Sequence, residues 1–286
     1  MNKMQRWIRW AALSAQVLAA AILGVASPAG AAKPDDTAFH ATSTVSGLKF
    51  MVLNTLPEAP RIIGRAICNC LADPTSEGGK LVKARGWAVT GEAPMGRFEA
   101  VSFAARFEDV YGGSFAVRQG NVAMFEGPRL IALVYGAKAS DEAISFVEPL
   151  EGSGVRIWDG ESPSHPVGDI RADGSDLRLG PLAAEQSFCH GKAVVPNIYG
   201  MPIGKARALL QAKGWKPTPS KLGTNEDEFG REIALAKRGV VEVSNCSGTG
   251  LGFCSFDYIG ADGRLGVTTV GDDDFPSVSA YGVTCR

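Results

Sequence analysis

The fold is decided by the stretch Val101-Ser102-Phe103-Ala104-Ala105-Arg106-Phe107, in which large apolar side chains recur at every second position. A period of two is the spacing of a β-strand that buries one face. Residues 115–117 and 122–124 repeat the alternation, and residues 130–135 are continuously apolar, as in a central strand buried on both faces. This part of the chain is expected to form one antiparallel sheet.

Helices are expected on one side of this sheet. Residues 60–71 place their apolar side chains on one helical face, and residues 76–85 predict a second helix that stops at Gly86. Residues 48–53 predict a first strand, and shorter strands are expected at 144–147, 155–158 and 177–179. Together these elements predict an N-terminal β-rich α+β domain over residues 48–185.

A second domain is predicted over residues 189–286. Residues 203–213 form an amphipathic helical pattern, and Gly214 stands where a left-handed C-cap belongs. Four strands are expected after it, at 240–246, 254–259, 265–270 and 278–285. The predicted fold class is therefore α+β, with two disulfide-stabilised domains that each pack a helix on an antiparallel sheet.

The first 32 residues have the layout of a secretory signal peptide. Lys3, Arg6 and Arg9 precede an apolar run at 11–26, and small residues at 28–32 offer a cleavage site. The run is about 16 residues long, shorter than the roughly 20 of a spanning helix. We expect a periplasmic or secreted protein without a membrane span after cleavage. Its polar residues 33–47 are expected to form a flexible lead-in.

The charge balance of the chain argues against a nucleic-acid partner. The formal net charge is −1 for 286 residues, and no basic stripe is visible. Nucleic-acid binding is therefore not expected.

Six cysteines in an exported chain indicate disulfides. Cys246 closes one predicted strand and Cys254 opens the next, so the hairpin between them would bring the two sulfurs together. A Cys189–Cys285 bond would bracket the whole second domain. Cys68 and Cys70 would then bond to each other or stay free, and crossed pairings remain open.

The motif search predicts no catalytic, cofactor-binding or metal-ligating residue. His40, His165 and His190 lack the spacing of zinc ligands. Cys68 and Cys70 could bind copper, and residues 272–274 could bind calcium, but a structural cysteine pair and a solvated loop are the commoner roles. Thirty acidic residues leave a carboxylate pair for glycoside hydrolysis open without singling one out.

Four aromatic residues would be reasonable ligand contacts if a groove exists. They are Trp158, Tyr199, Trp215 and Tyr281. Packing is the more frequent role of such side chains.

Residues 195–215 resemble the opening of a PASTA domain. The matching residues are Val195, Pro196, Asn197, Gly200, Ala206, Leu209, Leu210 and Gly214. The resemblance implies an extracytoplasmic module associated with binding cell-wall fragments. It covers about 21 residues, and the chain after Trp215 departs from the PASTA pattern.

A short internal similarity joins the two predicted domains. Residues 81–87 and 209–215 match in chemical type, each ending a helix at a glycine followed by tryptophan. They indicate either a duplicated unit or the usual way in which a helix ends.

The function predicted from the sequence is that of an exported, non-catalytic binding protein of the cell envelope. Its partner would be peptidoglycan or an envelope protein. The alternatives are an inhibitor of an envelope enzyme, of the lysozyme or β-lactamase type, and a carboxylate-based hydrolase.

Overall fold

A computed structural model describes residues 39–64, 71–110, 114–137, 144–222, 226–248 and 250–286. The predicted signal peptide, residues 33–38 of the predicted lead-in, and both Cys68 and Cys70 lie outside these ranges. Within them, the three helices are all too short to cross a membrane.

Strands dominate the part of the chain that the structure describes. The strands of the first part are β1 (His40–Ser43), β2 (Leu48–Met51), β3 (Ala88–Met95), β4 (Phe98–Ala104), β5 (Arg106–Asp109), β6 (Phe115–Arg118), β7 (Asn121–Glu126), β8 (Arg129–Gly136), β9 (Ile144–Leu150), β10 (Gly154–Asp159), β11 (Pro166–Asp173) and β12 (Asp176–Gly180). Those of the later part are β13 (Glu185–Phe188), β14 (Ala193–Pro196), β15 (Lys216–Pro217), β16 (Val243–Cys246), β17 (Cys254–Ile259), β18 (Gly263–Val270) and β19 (Ser277–Cys285). The helices are α1 (Glu77–Ala84), α2 (Ile203–Ala212) and α3 (Glu226–Lys237).

The first twelve strands build two five-stranded sheets and one hairpin. One sheet has the order β1-β12-β11-β10-β9, the other β2-β8-β7-β4-β3, and β5 pairs with β6. Side chains of both sheets share one buried cluster, which includes Met124, Val134, Ile157 and Ile170. The core of this part therefore lies between two sheets.

Helix α1 covers the outer face of the second sheet. Val82 of α1 packs in a buried cluster with Val101 and Phe103 of β4 and Phe125 of β7. Strand β4 is thus buried on both faces, although alternation alone suggests one exposed face. The Ser76 hydroxyl caps α1 by accepting a hydrogen bond from the Gly79 N–H at 2.9 Å.

The last strands form a separate sheet of order β15-β17-β18-β19, with β16 also paired to β17. Its inner face packs Phe256, Leu265 and Val267 against Ala206 and Leu210 of α2. Three of its strands match the predicted segments closely, because the alternation there is regular and a hairpin turn joins β17 to β18.

The predicted α+β class, with two helix-on-sheet domains, is wrong. The described chain is mostly β, with three short helices, and its largest core lies between two sheets. The predicted helix at 60–71 is absent from its described residues 60–64 and 71, where Ile63 instead forms a bridge with Arg106. The single predicted N-terminal sheet is two sheets and a hairpin, because β9–β12 form a sheet with β1 and not with β8, and the chain leaves β4 at Ala105 to form the β5–β6 hairpin.

Two further features were not anticipated. The polar segment predicted as a flexible lead-in contains β1, which pairs in parallel with β12. Ala38–Arg286 form one compact unit, and the division into domains at 48–185 and 189–286 stays a prediction.

Two disulfides close the later part of the chain. Cys189 is bonded to Cys285 across 96 residues of sequence, and Cys246 to Cys254 across 8. These are the two pairings that the sequence favoured. Both fit a protein that folds outside the reducing cytoplasm.

We predict that the two disulfides differ in their contribution to stability. In the chain-entropy model, the loop closed by Cys189–Cys285 is worth about 4.7 kcal/mol and that closed by Cys246–Cys254 about 2.5 kcal/mol. Replacing each pair with serines should therefore lower the free energy of unfolding more for Cys189/Cys285. Urea denaturation of the two double variants measures this, and the reverse order would contradict the prediction.

Candidate functional site

The structure brings together three of the four aromatic residues that the sequence singled out. The ring centroids of Trp158 and Tyr199 lie 5.6 Å apart, and those of Tyr199 and Tyr281 4.4 Å apart. Phe146 stacks on Trp158 at 5.4 Å. Trp215 is elsewhere: it is buried in the core of the last sheet, and its indole N–H donates to the Val194 carbonyl at 2.9 Å.

A buried arginine lies against these rings. Arg156 on β10 is 2% exposed, and its guanidinium donates to both carboxylate oxygens of Asp169, at 2.8 and 3.2 Å. Its remaining Nη1 donates to Gln186 Oε1 at 2.6 Å and to the Tyr199 hydroxyl at 3.3 Å. We call Arg156, Asp169, Gln186 and Tyr199 the arginine junction, because it joins β10 and β11 to β13 and the loop before α2.

Burial shapes the ionisation of the junction. Desolvation disfavours the charge of Arg156, but the hydrogen bonds and charge of Asp169 outweigh it, so the guanidinium pKa stands above its ordinary value. Burial raises the pKa of the Tyr199 and Tyr281 hydroxyls. The arginine is therefore a fixed cation whose hydrogen bonds go to protein groups, and the junction is a structural element.

The other candidate side chains are also engaged. Asp272 pairs with Arg231 of α3 and Asp274 with Arg238 just after α3, each at 2.6 Å, so two acids of the loop at 272–274 are engaged by arginines. Within the described residues, no group of three or more potential metal ligands comes together.

Two of the three histidines neighbour acidic side chains. The imidazole Nδ1 of His165 lies 3.6 Å from the buried carboxylate of Asp159, whose pKa burial raises. The backbone N–H of His190 donates to Glu151 at 2.7 Å. His40 lies in β1.

Two buried glutamates of the last part serve the fold. Glu242 accepts a hydrogen bond from the Tyr258 hydroxyl at 2.7 Å and pairs with Arg207 at 3.0 Å. Glu232 accepts the N–H of Cys246 at 2.7 Å. Their oxygens are directed at protein partners.

The outer face of the last sheet carries a depression whose lining includes Tyr281 and Phe256 but not Trp158, Tyr199 or Trp215. It has a volume of ≈ 540 Å³ and lies across β17, β18 and β19. The strand register places Asp257, Gly266 and Gly282 side by side in one row. The neighbouring row is Ser255, Thr268 and Ala280, and Thr284 follows on the other side. We call this depression the glycine trough.

Nothing in the part of the chain that the structure describes requires glycine at positions 266 and 282. Neither residue has a left-handed backbone, and a Cβ added at either would meet no atom within 4 Å. Gly263 and Gly260 are different, because an added Cβ would approach the Thr284 carbonyl oxygen to 2.7 Å and the Trp215 ring to 2.8 Å. Glycine weakens a strand and often marks the close approach of a ligand or another backbone. The trough is therefore the candidate binding site.

Sequence reasoning named Tyr281 among the possible ligand contacts but missed the glycine pair. The alternation of β18 and β19 already points Gly266 and Gly282 outward, which was the available signal. The alternation does not show the strand register, and it is the register that sets Gly266 opposite Gly282.

We predict that Gly266→Thr and Gly282→Thr each raise the free energy of unfolding, by up to about 1 kcal/mol, because threonine favours an extended backbone and the space is open. Gly263→Thr, on the same strand, should instead lower it, since its Cβ would meet a backbone oxygen. Chemical denaturation of the three variants measures both signs. A loss of stability in the two trough variants would mean that the fold itself requires these glycines.

We predict that Arg156→Met lowers the free energy of unfolding by about 3–5 kcal/mol, because it leaves the Asp169 carboxylate buried without its partner. The double variant Arg156→Met/Asp169→Leu removes both charges and should lower the free energy of unfolding by less than Arg156→Met alone. Arg178→Met is the control, since Arg178 forms an exposed pair with Asp176 and should change stability by less than about 1 kcal/mol. Equal effects of Arg156→Met and Arg178→Met would contradict the role given to the junction.

Comparison of the chain with known proteins finds no matching family model, no similar curated protein and no similar solved structure. The basis for a function is therefore the geometry of the trough.

Proposed function

We propose that this protein is a non-catalytic binding protein of the cell envelope and that its ligand, peptidoglycan, lies in the glycine trough. The observation that carries the proposal is the pair of exposed, opposed glycines that neither backbone conformation nor internal packing requires. Because Gly266 and Gly282 have no side chains, a ligand chain can approach the backbone of the sheet closely.

The lining of the trough fits a polar, hydroxyl-rich ligand. Ser255, Thr268 and Thr284 contribute hydroxyl groups that both donate and accept hydrogen bonds. Sugar hydroxyls and peptide amides of a cell-wall polymer offer the complementary groups. Asp257 is the one carboxylate among the lining residues, whereas glycoside hydrolysis uses a pair of carboxylates. The lining thus favours binding over hydrolysis.

Two other observations support the envelope as the setting. The disulfides Cys189–Cys285 and Cys246–Cys254 fit an oxidising compartment. The signal-peptide pattern of residues 1–32 and the PASTA-like stretch 195–215 point to the same place. In that stretch Trp215 is buried, so the proposed ligand contacts lie on the sheet.

The experiment is co-sedimentation of the oxidised protein with purified peptidoglycan. We expect the wild-type chain to be retained and Gly266→Thr/Gly282→Thr to bind at least about tenfold more weakly, because each added side chain fills the floor. The variant should remain folded and be no less stable than the wild type.

The matched control is Gly230→Thr. Gly230 is exposed on α3, outside the residues that line the trough, and an added Cβ there also meets open space. Equal retention of the trough variant and this control would overturn the proposed site. A wild-type chain that stays in the supernatant would overturn peptidoglycan as the ligand.

A further inference from the structure

We infer that the glycine trough binds the free primary amino groups of the wall peptide, with the ammonium held at Asp257 and its stem lying over Gly266 and Gly282. This inference rests on the proposed function and adds the chemical group that is recognised and the direction in which it lies.

The two ends of the floor row differ. Asp257 ends the row on β17, whereas Gly282 ends it on β19, which pairs only with β18 at this position within the described sheet. The trough is therefore lined by a carboxylate at one end and is bare at the edge of the sheet. A ligand chain that crosses this edge over Gly282 and Gly266 ends at the carboxylate.

The charge of Asp257 determines which ligand group the trough would bind. Asp257 is the only charged side chain among the lining residues, it is exposed, and no ion pair with another described residue engages it. The hydroxyls of Ser255 and Thr268 stand in the next row. A carboxylate beside hydroxyl groups binds an ammonium, which is a compact cation with three hydrogen-bond donors.

The dimensions suit an ammonium on a flexible stem. Gly282 and Asp257 are separated by two inter-strand spacings, or about 9.6 Å. The four-carbon stem of a lysine-type amine lies along such a row, and the missing Cβ atoms at Gly266 and Gly282 leave the stem in contact with the backbone. The side chain of a diamino acid has this form.

One neighbouring cation would repel a ligand ammonium held at Asp257. Arg264 on β18 is exposed and stands two residues from Gly266, so it is a diagonal cross-strand neighbour of Asp257. Its guanidinium lies outside the lining of the trough, and it forms no ion pair with Asp257 in the structure. Removing its charge should therefore strengthen the binding of a ligand ammonium.

The test compares native peptidoglycan with peptidoglycan whose amino groups have been acetylated. We expect acetylation to weaken binding of the wild type by about fivefold, the size of an exposed ion pair. Asp257→Asn should bind native peptidoglycan about fivefold more weakly and should be insensitive to acetylation. Asp257→Glu should restore most of the sensitivity, and Arg264→Gln should bind native peptidoglycan more tightly than the wild type.

The outcomes separate the two proposals. If acetylation leaves wild-type binding unchanged while Gly266→Thr/Gly282→Thr still weakens it as expected, the amine inference fails and the proposed function stands. If the glycine variant binds like the wild type, the site itself fails. Sensitivity to acetylation that persists in Asp257→Asn would also overturn the inference, because the amine would then be recognised elsewhere.

Discussion

The arginine junction is the interaction that connects the sheet of β10 and β11 to the segment leading into α2. Arg156 and Asp169 are almost fully buried, so each charge must be matched by the other and by further hydrogen bonds. The guanidinium donates its further hydrogen bonds to Gln186 and Tyr199, which lie later in the chain. A buried cation with directional donors thereby holds the first sandwich against the segment leading into α2. Tyr199, in turn, packs on Tyr281 of the last sheet.

The outer face of the last sheet carries the glycine trough. Most glycines near it are structural, as Gly252 illustrates: an added Cβ would approach Asp272 Oδ1 to 2.4 Å. Gly266 and Gly282 lack such a reason, and each costs the sheet some stability relative to a β-branched residue. The proposed approach of a ligand to the sheet at these two positions would account for that cost.

The helix ends show why local sequence similarity carries little fold information here. After α1, the Trp87 N–H bonds to the Val82 carbonyl, and after α2 the Trp215 N–H bonds to that of Leu210. The end of α3 repeats the pattern, with Val240 bonded to Leu235 and a left-handed Gly239. The similarity between residues 81–87 and 209–215 is thus a shared C-cap that also occurs a third time without tryptophan.

The sequence by itself determined the elements whose causes are local: the alternating strands β17, β18 and β19, the glycine-capped helices α1 and α2, and the hairpin that sets Cys246 opposite Cys254. Tertiary structure alone decided that β4 is buried on both faces, that residues 60–64 are not helical, and that Gly266 faces Gly282. The physical reason is that periodicity records which side of an element is apolar. What covers that side, and which strand lies beside it, depend on residues far away in the chain.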